Sequence, residues 1–186
     1  MQTVKILIMI VLPIIVIVIV LGLKALGRLV HARNKVDHSW MALEEAFSKR
    51  RDLIPIVIKI LHDHNDKYSN DFDKAAQGAI QLASPRDQET VLSRLFMQLG
   101  ALQVADNRSL IDDASFQEFL LMLGRVEDDI QRYHKEYNEA VINYNALFKI
   151  FPTSLISEIM DFEREKPFDM KYATERPPDE NLKSLL

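Results

Sequence analysis

The stretch from Ile6 to Leu23 constrains this chain most, because it runs for eighteen residues without a charge and fifteen of them are Ile, Leu or Val. As a helix it spans about 27 Å, close to the hydrocarbon thickness of a bilayer. A cleaved signal peptide is the alternative interpretation, but no convincing small-x-small cleavage site follows in LKALGRLVHAR. We therefore predict a short N-terminus over residues 1–5 and one transmembrane helix over residues 6–23.

The charges that flank this segment predict its orientation. Four basic residues follow it before any acidic one: Lys24, Arg28, Arg33 and Lys35. On the other side only Lys5 and the terminal amine precede it. The positive-inside rule therefore predicts a short N-terminus outside the cell and a domain in the cytoplasm. The four basic residues are also candidate contacts for lipid headgroups, although a plain topology signal would explain them equally.

The composition of the whole chain limits the classes of protein to which it can belong. The chain carries 23 Lys and Arg against 27 Asp and Glu, a net charge of −4, which argues against general nucleic-acid binding. Cysteine is absent, so disulfides and thiol chemistry are excluded. Glycine is scarce, with five residues, and runs of alternating polar and apolar residues are missing. We therefore predict an all-α protein.

Two long helical stripes organise the domain. In both, apolar residues recur every three or four positions, as on one face of a helix. The first stripe comprises Leu26, Leu29, Arg33, Val36, Trp40, Leu43, Phe47, Arg50, Ile54, Val57 and Leu61. The second comprises Phe116, Phe119, Leu123, Val126, Ile130, Tyr133, Tyr137, Ala140, Tyr144, Leu147 and Phe151. Two long helices of similar length with two shorter ones between them predict an elongated antiparallel four-helix bundle over residues 24–162.

Local signals predict where helices begin and end. The first stripe keeps its register across Pro55, which predicts a kink near Asp52–Pro55 instead of the start of a new element. The shorter helices begin near Asn70, with Phe72, Ala76, Ala79 and Ala83 inward, and at Ser84-Pro85, with Val91, Leu92, Leu95, Leu99 and Leu102 inward.

The second half of the chain carries its own boundary signals. Ser115 opens a capping box for the second long helix, and Pro152 ends that helix. Thr153 or Ser154 then caps one more short helix. The charged, proline-containing residues 163–186 are predicted to be a flexible tail.

Polar residues on the stripes are the candidates for special roles. Arg50 either covers the core with its stem and reaches water, or pairs with Glu127 or Asp128 on a facing helix. Tyr137 and Tyr144 are seven residues apart and share a face; Asn138 and Asn145 have the same spacing. We expect these groups to fix helix register by bonding across helices, and a binding surface is the alternative.

The sequence lacks the residue patterns that are typical of catalysis and metal binding. The sequence has no Glu-x-x-His, Gly-rich phosphate loop or Gly-x-Ser-x-Gly. His62 and His64 lie near acids but are most simply interpreted as solvated loop residues. We therefore predict no catalytic residues, no cofactor and no metal site.

Three segments carry a family resemblance: KRRDLIP at residues 49–55; Glu127-Asp128-x-Ile130 followed by Tyr137-Asn138-x-Ala140-Val141-x-x-Tyr144-Asn145; and Phe151-Pro152 with Leu155 and Ile156. In order and spacing they resemble the LemA family of bacterial membrane proteins over about Val30 to Phe162. The chain departs from that family at Ile56, where Asn is usual, and at Asp161, where Gly is usual.

The resemblance implies an antiparallel helical bundle on a single-span anchor in the bacterial inner membrane, with no known catalytic residues. One family member is tied to biogenesis of magnetosome membranes, which makes membrane shaping a role by analogy. The motif residues singled out as candidates are Arg50, Arg51, Asp52, Pro55, Glu127, Asp128, Tyr137, Asn138, Tyr144, Asn145, Phe151 and Pro152.

We therefore expect a membrane-anchored, non-enzymatic scaffold or interaction protein, with self-assembly that organises or remodels the membrane as a specific variant. Its expected partners are the lipid bilayer, further copies of the chain and an unidentified protein, but not nucleic acid. The main alternative is a signalling or sensory adaptor that binds a partner through the bundle or the tail. An enzyme or cofactor carrier is a third hypothesis.

Overall fold

The structure is a computed structural model that describes residues 2–64, 68–82, 84–102, 110 and 112–169. Within these ranges the chain forms six α-helices and no strand, so the predicted all-α class is confirmed there. The helices are α1 (Gln2–Asp52), α2 (Ile54–Asp63), α3 (Tyr68–Ile80), α4 (Pro85–Leu102), α5 (Ala114–Leu147) and α6 (Thr153–Ile159).

The α1 helix is long and apolar enough to cross a membrane, by its length and composition. Large aliphatic side chains in its first half are exposed; Ile14 is 54% exposed and Val18 is 63% exposed. A contiguous exposed apolar surface of this kind suits contact with lipid or with another apolar surface better than contact with water. This is compatible with a single-pass membrane protein.

Pro55 explains the junction between α1 and α2. Proline has no N–H to donate to the carbonyl of Arg51, so one bond of the helical ladder is missing. The N–H of Leu53 donates to the carbonyl of Arg50 at 3.1 Å, three residues back, in a tighter turn. Leu53 alone separates the two helices and keeps right-handed helical torsions, with φ −79° and ψ −16°. The helix is therefore interrupted at the predicted place, but a second helix begins at Ile54 where the sequence predicted only a kink.

The chain divides into two compact units. The first unit comprises residues 1–43 and 133–167, and the second comprises residues 44–132 and 168–186. The α1 and α5 helices each contribute to both units. The core of the second unit draws buried apolar residues from α2, α3, α4 and α5, and examples are Val57, Leu61, Ala76, Leu92, Phe96, Leu99, Phe116 and Phe119.

The inward face of α4 contains the predicted Leu92 and Leu99 but differs from the prediction at other positions. The buried residues are Glu89, Leu92, Phe96 and Leu99, whereas Val91 is exposed. The helix is therefore turned so that a carboxylate faces inward, and Arg50 is the cation that this carboxylate meets. In α3 the predicted inward residues Phe72, Ala76 and Ala79 are buried, and Ala83 lies outside the described residues.

Three predicted helix boundaries need correction. The α5 helix begins at Ala114, because Asp113 and not Ser115 caps it; Asp113 Oδ1 accepts the N–H of Phe116 at 2.9 Å. It ends at Leu147, so that Phe151 is 75% exposed instead of continuing the buried stripe. The α6 helix follows Pro152, with no side-chain cap from Thr153 or Ser154.

The prediction of a flexible tail from Glu163 is wrong for residues 163–169. Side chains of α5 bind the backbone of this segment, and Phe168 is 2% exposed. Within the second unit, the ring of Phe168 meets Phe47 edge-on at a centroid distance of 5.9 Å. The rest of the predicted tail, residues 170–186, lies outside the described residues.

Candidate functional site

The second unit is built around Arg50, which is 0% exposed. The α1 stripe places it next to Phe47, whose ring centroid is 5.4 Å from the guanidinium carbon. The ring of Phe96 from α4 lies 5.9 Å from the same carbon. A guanidinium tolerates such aromatic surroundings because it is weakly hydrated and is attracted to the face of a ring.

Two carboxylates and a hydroxyl bind this guanidinium. Nη2 donates to Glu89 Oε2 at 2.6 Å and to the Glu89 carbonyl at 3.2 Å. Nη1 donates to Ser93 Oγ at 2.8 Å and to Glu127 Oε1 at 3.1 Å. Arg51 also donates to the other oxygen of Glu89. We call these five residues, Arg50, Arg51, Glu89, Ser93 and Glu127, the arginine cluster.

The cluster confirms one sequence prediction and adds a residue that the prediction missed. Of the two alternatives that the sequence left open for Arg50, the structure shows the pairing, with Glu127 as the partner, whereas Asp128 is exposed on the same helix. Glu89 was not foreseen, although it lies three residues before Leu92 on the regular buried stripe of α4. A carboxylate in phase with an apolar stripe is the signal that could have identified it, since such a position calls for a buried cation.

The neighbouring motif residues face solvent. Asp52 and Pro55 are exposed, and Pro55 borders an open cleft of about 490 Å³ between α2 and the start of α5. Polar residues that border this cleft are Lys59, Asp63, His64, Asp113, Ser115 and Glu118. His64 Nε2 lies 3.6 Å from Asp113 Oδ2. No group of three His, Cys, Asp or Glu residues that could hold a metal ion occurs among the described residues.

In the first unit, residues 163–167 form a segment without regular secondary structure, which we call the strap. The phenol of Tyr144 donates to the carbonyl of Glu163 at 2.8 Å, and that of Tyr137 donates to the carbonyl of Lys166 at 3.2 Å. The amide of Asn145 holds Glu165 twice, since Nδ2 donates to its carbonyl at 2.7 Å and Oδ1 accepts its N–H at 3.0 Å. The strap is thus held mainly through its backbone.

One charged contact adds to these backbone bonds. Arg33 Nη1 lies 2.5 Å from Glu165 Oε1, and Arg33 Nε lies 3.3 Å from Asp37. Burial acts to lower the pKa of Arg33, but the hydrogen bond to Tyr144 and the charges of Glu165 and Asp37 outweigh it and raise that pKa above its usual value. Burial raises the pKa of Tyr144, so the phenol stays neutral and keeps donating.

The remaining predicted residues fall into three situations. Asn138 bonds to His134 of its own helix at 3.1 Å, and Asn145 bonds to the strap, whereas we expected these amides to bond across helices. Phe151 and Pro152 lie in the turn before α6. Of the four basic residues, Lys24, Arg28 and Lys35 are exposed, whereas Arg33 is engaged by Glu165 and Asp37.

These features define a class of all-α proteins in which one membrane-compatible helix leads into a helical domain with a buried arginine cluster. A profile of the LemA family matches residues 39–180, which is more than half of the chain. The protein belongs to the LemA family. The matched region contains the arginine cluster and the strap, and it extends past the limit at Phe162 that the sequence resemblance indicated. A search of curated proteins gave no match.

Proposed function

We propose that this protein is a membrane-anchored, non-enzymatic scaffold of the LemA type. The proposal is supported by the hydrogen bonds that the polar motif residues make within the chain. The side chains of Arg50, Glu127, Tyr144 and Asn145 bind other groups of the same chain, and these bonds hold the helices and the strap together. Such residues position surfaces for contact instead of acting on a substrate.

The proposal includes the finer features predicted from the sequence. The helices after the span form an antiparallel four-helix bundle, which the shared core of α2, α3, α4 and α5 in the second unit supports. The domain lies on the cytoplasmic side of the bacterial inner membrane, with Lys24, Arg28 and Lys35 near anionic headgroups, because basic residues favour that side. Several copies assemble and organise or bend the membrane.

Counting copies in a membrane tests the assembly. The full chain, carrying one fluorophore, is reconstituted at low density into vesicles of phosphatidylcholine and phosphatidylglycerol, and photobleaching steps are counted. We expect several steps per spot and clusters or tubules on giant vesicles at higher density. The matched control is Arg50→Met, which keeps the anchor and disrupts the second unit. Single steps with unchanged vesicles would refute self-assembly.

The cleft beside Pro55 favours a second candidate, a partner-binding adaptor. Its border is mostly acidic, with Asp63, Asp113 and Glu118 against Lys59, which suits a basic segment of a partner protein. Crosslinking in cells with Glu118→Lys, compared with the distant Glu136→Lys, discriminates the candidates. If a crosslinked partner disappears in Glu118→Lys but not in Glu136→Lys, the adaptor is supported. If both variants still crosslink into the same assembly, the scaffold is supported.

A further inference from the structure

The α6 helix has the reverse of the polarity expected for a helix on a water-soluble surface. Its buried residues are small and polar, since Thr153 is 1% exposed and Ser157 is 3% exposed. Two of its large apolar residues are exposed, since Leu155 is 49% exposed and Ile159 is 67% exposed, and Glu158 is exposed beside them. A helix in contact with water normally buries its apolar stripe and exposes its polar one. The exposed face of α6 is therefore suited to an apolar phase.

The turn that precedes α6 extends this apolar surface. Phe151, in this turn, is 75% exposed, and Leu155 and Ile159 follow it on α6 at helical spacing of four residues. Ile150 and Met160, at the two ends of the segment, are about half exposed as well. An apolar patch of this size on a short segment marks an interaction surface.

The position of α6 identifies what covers the patch. Ile156 packs against α1 at Gly22, because its Cδ1 lies 3.7 Å from the place that a Cβ on Gly22 would occupy. Gly22 is the last residue but one of the apolar segment that ends at Leu23. The α6 helix therefore lies beside α1 at the level where the span ends, and its apolar face continues the apolar surface of the span.

Charged residues lie close to the apolar face of α6. Glu158 and Asp161 are exposed on α6 and at its end, and Lys149 is exposed before it. Charged groups avoid the hydrocarbon but are tolerated among headgroups, whereas apolar side chains reach the upper part of the acyl chains. This combination is typical of a helix that lies in the plane of the interface.

We propose that α6, together with Ile150 and Phe151, is an interfacial membrane element that inserts its apolar face among phospholipid acyl chains. It would lie in the leaflet through which α1 leaves the membrane. The inference rests on the proposed membrane span of α1, and it adds a second lipid contact that holds the first unit against the bilayer. A bundle held at two places on the surface keeps a fixed orientation to the membrane.

Spin labels on single cysteines test this, because the chain has no cysteine of its own. Leu155→Cys and Ile159→Cys are labelled in the full chain, in nanodiscs of phosphatidylcholine and phosphatidylglycerol. Collision with lipid-soluble oxygen and with a water-soluble nickel chelate is then measured. Val18→Cys is the reference within the span, and Met41→Cys, 63% exposed on α1 of the same unit, is the reference in water.

We expect both α6 labels to resemble Val18→Cys, with high oxygen and several-fold lower nickel accessibility than Met41→Cys. Labels as open to nickel as Met41→Cys overturn the inference, and so do labels shielded from both reagents, which indicate a protein partner. If Val18→Cys itself is open to nickel, the membrane span has failed instead. Adding Leu155→Asp to Ile159→Cys should raise nickel accessibility at that label, because the carboxylate pulls α6 away from lipid.

Discussion

Arg50 is a fully buried cation whose carboxylate partners come from two other helices. Removing a guanidinium from water is costly, and the cost is offset only when several oxygens replace the water. Glu89, which is also buried, depends on Arg50 in the same way. The pair therefore stabilises one arrangement of α1, α4 and α5 and penalises others, because a rotated helix would leave a buried charge alone.

Removing the guanidinium should destabilise the second unit. In Arg50→Met the stem is kept but Glu89 loses its main partner, so we expect the free energy of unfolding to fall by about 3 to 5 kcal/mol. Urea unfolding of the full chain in mild detergent, followed by circular dichroism, measures this. The neighbouring Lys49 is exposed and pairs with Glu45 at 2.8 Å, and Lys49→Met should change the free energy by less than about 1 kcal/mol.

A paired variant separates a lone buried charge from lost packing. In Arg50→Met with Glu89→Met both charges are gone, and most of the lost stability should return, because apolar side chains of similar volume replace the pair. If the double variant is as unstable as Arg50→Met, packing and not the unpaired carboxylate explains the loss. If Arg50→Met behaves like Lys49→Met, the arginine cluster does not stabilise the unit.

Asp161 adopts a backbone conformation that suits glycine, with φ of 55°. Asp161 ends α6 in a Schellman motif. The N–H of Phe162 donates to the carbonyl of Ser157 at 2.9 Å, and the N–H of Asp161 approaches the carbonyl of Glu158 at 3.4 Å. An L-residue pays a steric cost in this left-handed region. The departure from the Gly of the LemA family therefore falls where glycine has a physical reason.

Restoring glycine should stabilise this turn. Asp161→Gly relieves the steric cost, and we expect the free energy of unfolding to rise by about 0.5 to 1 kcal/mol. Asp161→Ala is the matched control and should lower it, because alanine has a Cβ and lacks a polar group that bonds locally. Thermal unfolding of the full chain in detergent compares the three. A less stable Asp161→Gly would mean that the carboxylate makes a contact worth more than the strain.

Helix faces were predictable where the pattern repeats, because burial follows the helical period. Leu29, Leu43, Val57, Ile130 and Tyr144 are buried, as the two stripes predict. The exact inward face of α4 was not predictable, because Val91 and Phe96 differ little in hydrophobicity. The burial of Glu89 against Arg50 determines which of them faces inward.

The strap could not be predicted for a different reason. Side chains of α5 hold its main chain, and a backbone carbonyl or N–H leaves no trace in the sequence. Composition alone made residues 163–169 resemble a flexible tail.

The strap depends on Asn145, whose amide satisfies both backbone groups of Glu165. Two hydrogen bonds contribute about 1 to 3 kcal/mol together, so Asn145→Ala should raise local opening of the strap about 5-fold to 150-fold. Hydrogen exchange at residues 163–167 measures this, and tryptic cleavage after Arg164 should accelerate in parallel. Asn143→Ala on the exposed face of the same helix is the control. Equal exchange in both variants would show that Tyr137, Tyr144 and Arg33 suffice to hold the strap.

At the scale of the whole molecule, α1 supplies the apolar segment, Arg33 to the strap and Arg50 to the arginine cluster. One helix thus contributes to both units and carries the segment that is apolar enough to cross a membrane. In the proposed orientation, the basic residues after Leu23 keep the domain on the cytoplasmic side, since basic residues near a span resist translocation.

Reversing these charges should change the orientation of the protein. With Met41→Cys as a reporter, a membrane-impermeant maleimide should label intact bacterial spheroplasts only after permeabilisation, because the proposed orientation places the domain in the cytoplasm. Adding Lys24→Glu and Arg28→Glu removes the positive bias, and a fraction of the protein should become labelled without permeabilisation. Lys49→Glu is the control, since it lies beyond the about 15 to 20 residues over which flanking charge acts. Labelling of intact spheroplasts in the unaltered background would place the domain outside, and the charges after Leu23 would then have failed to retain it.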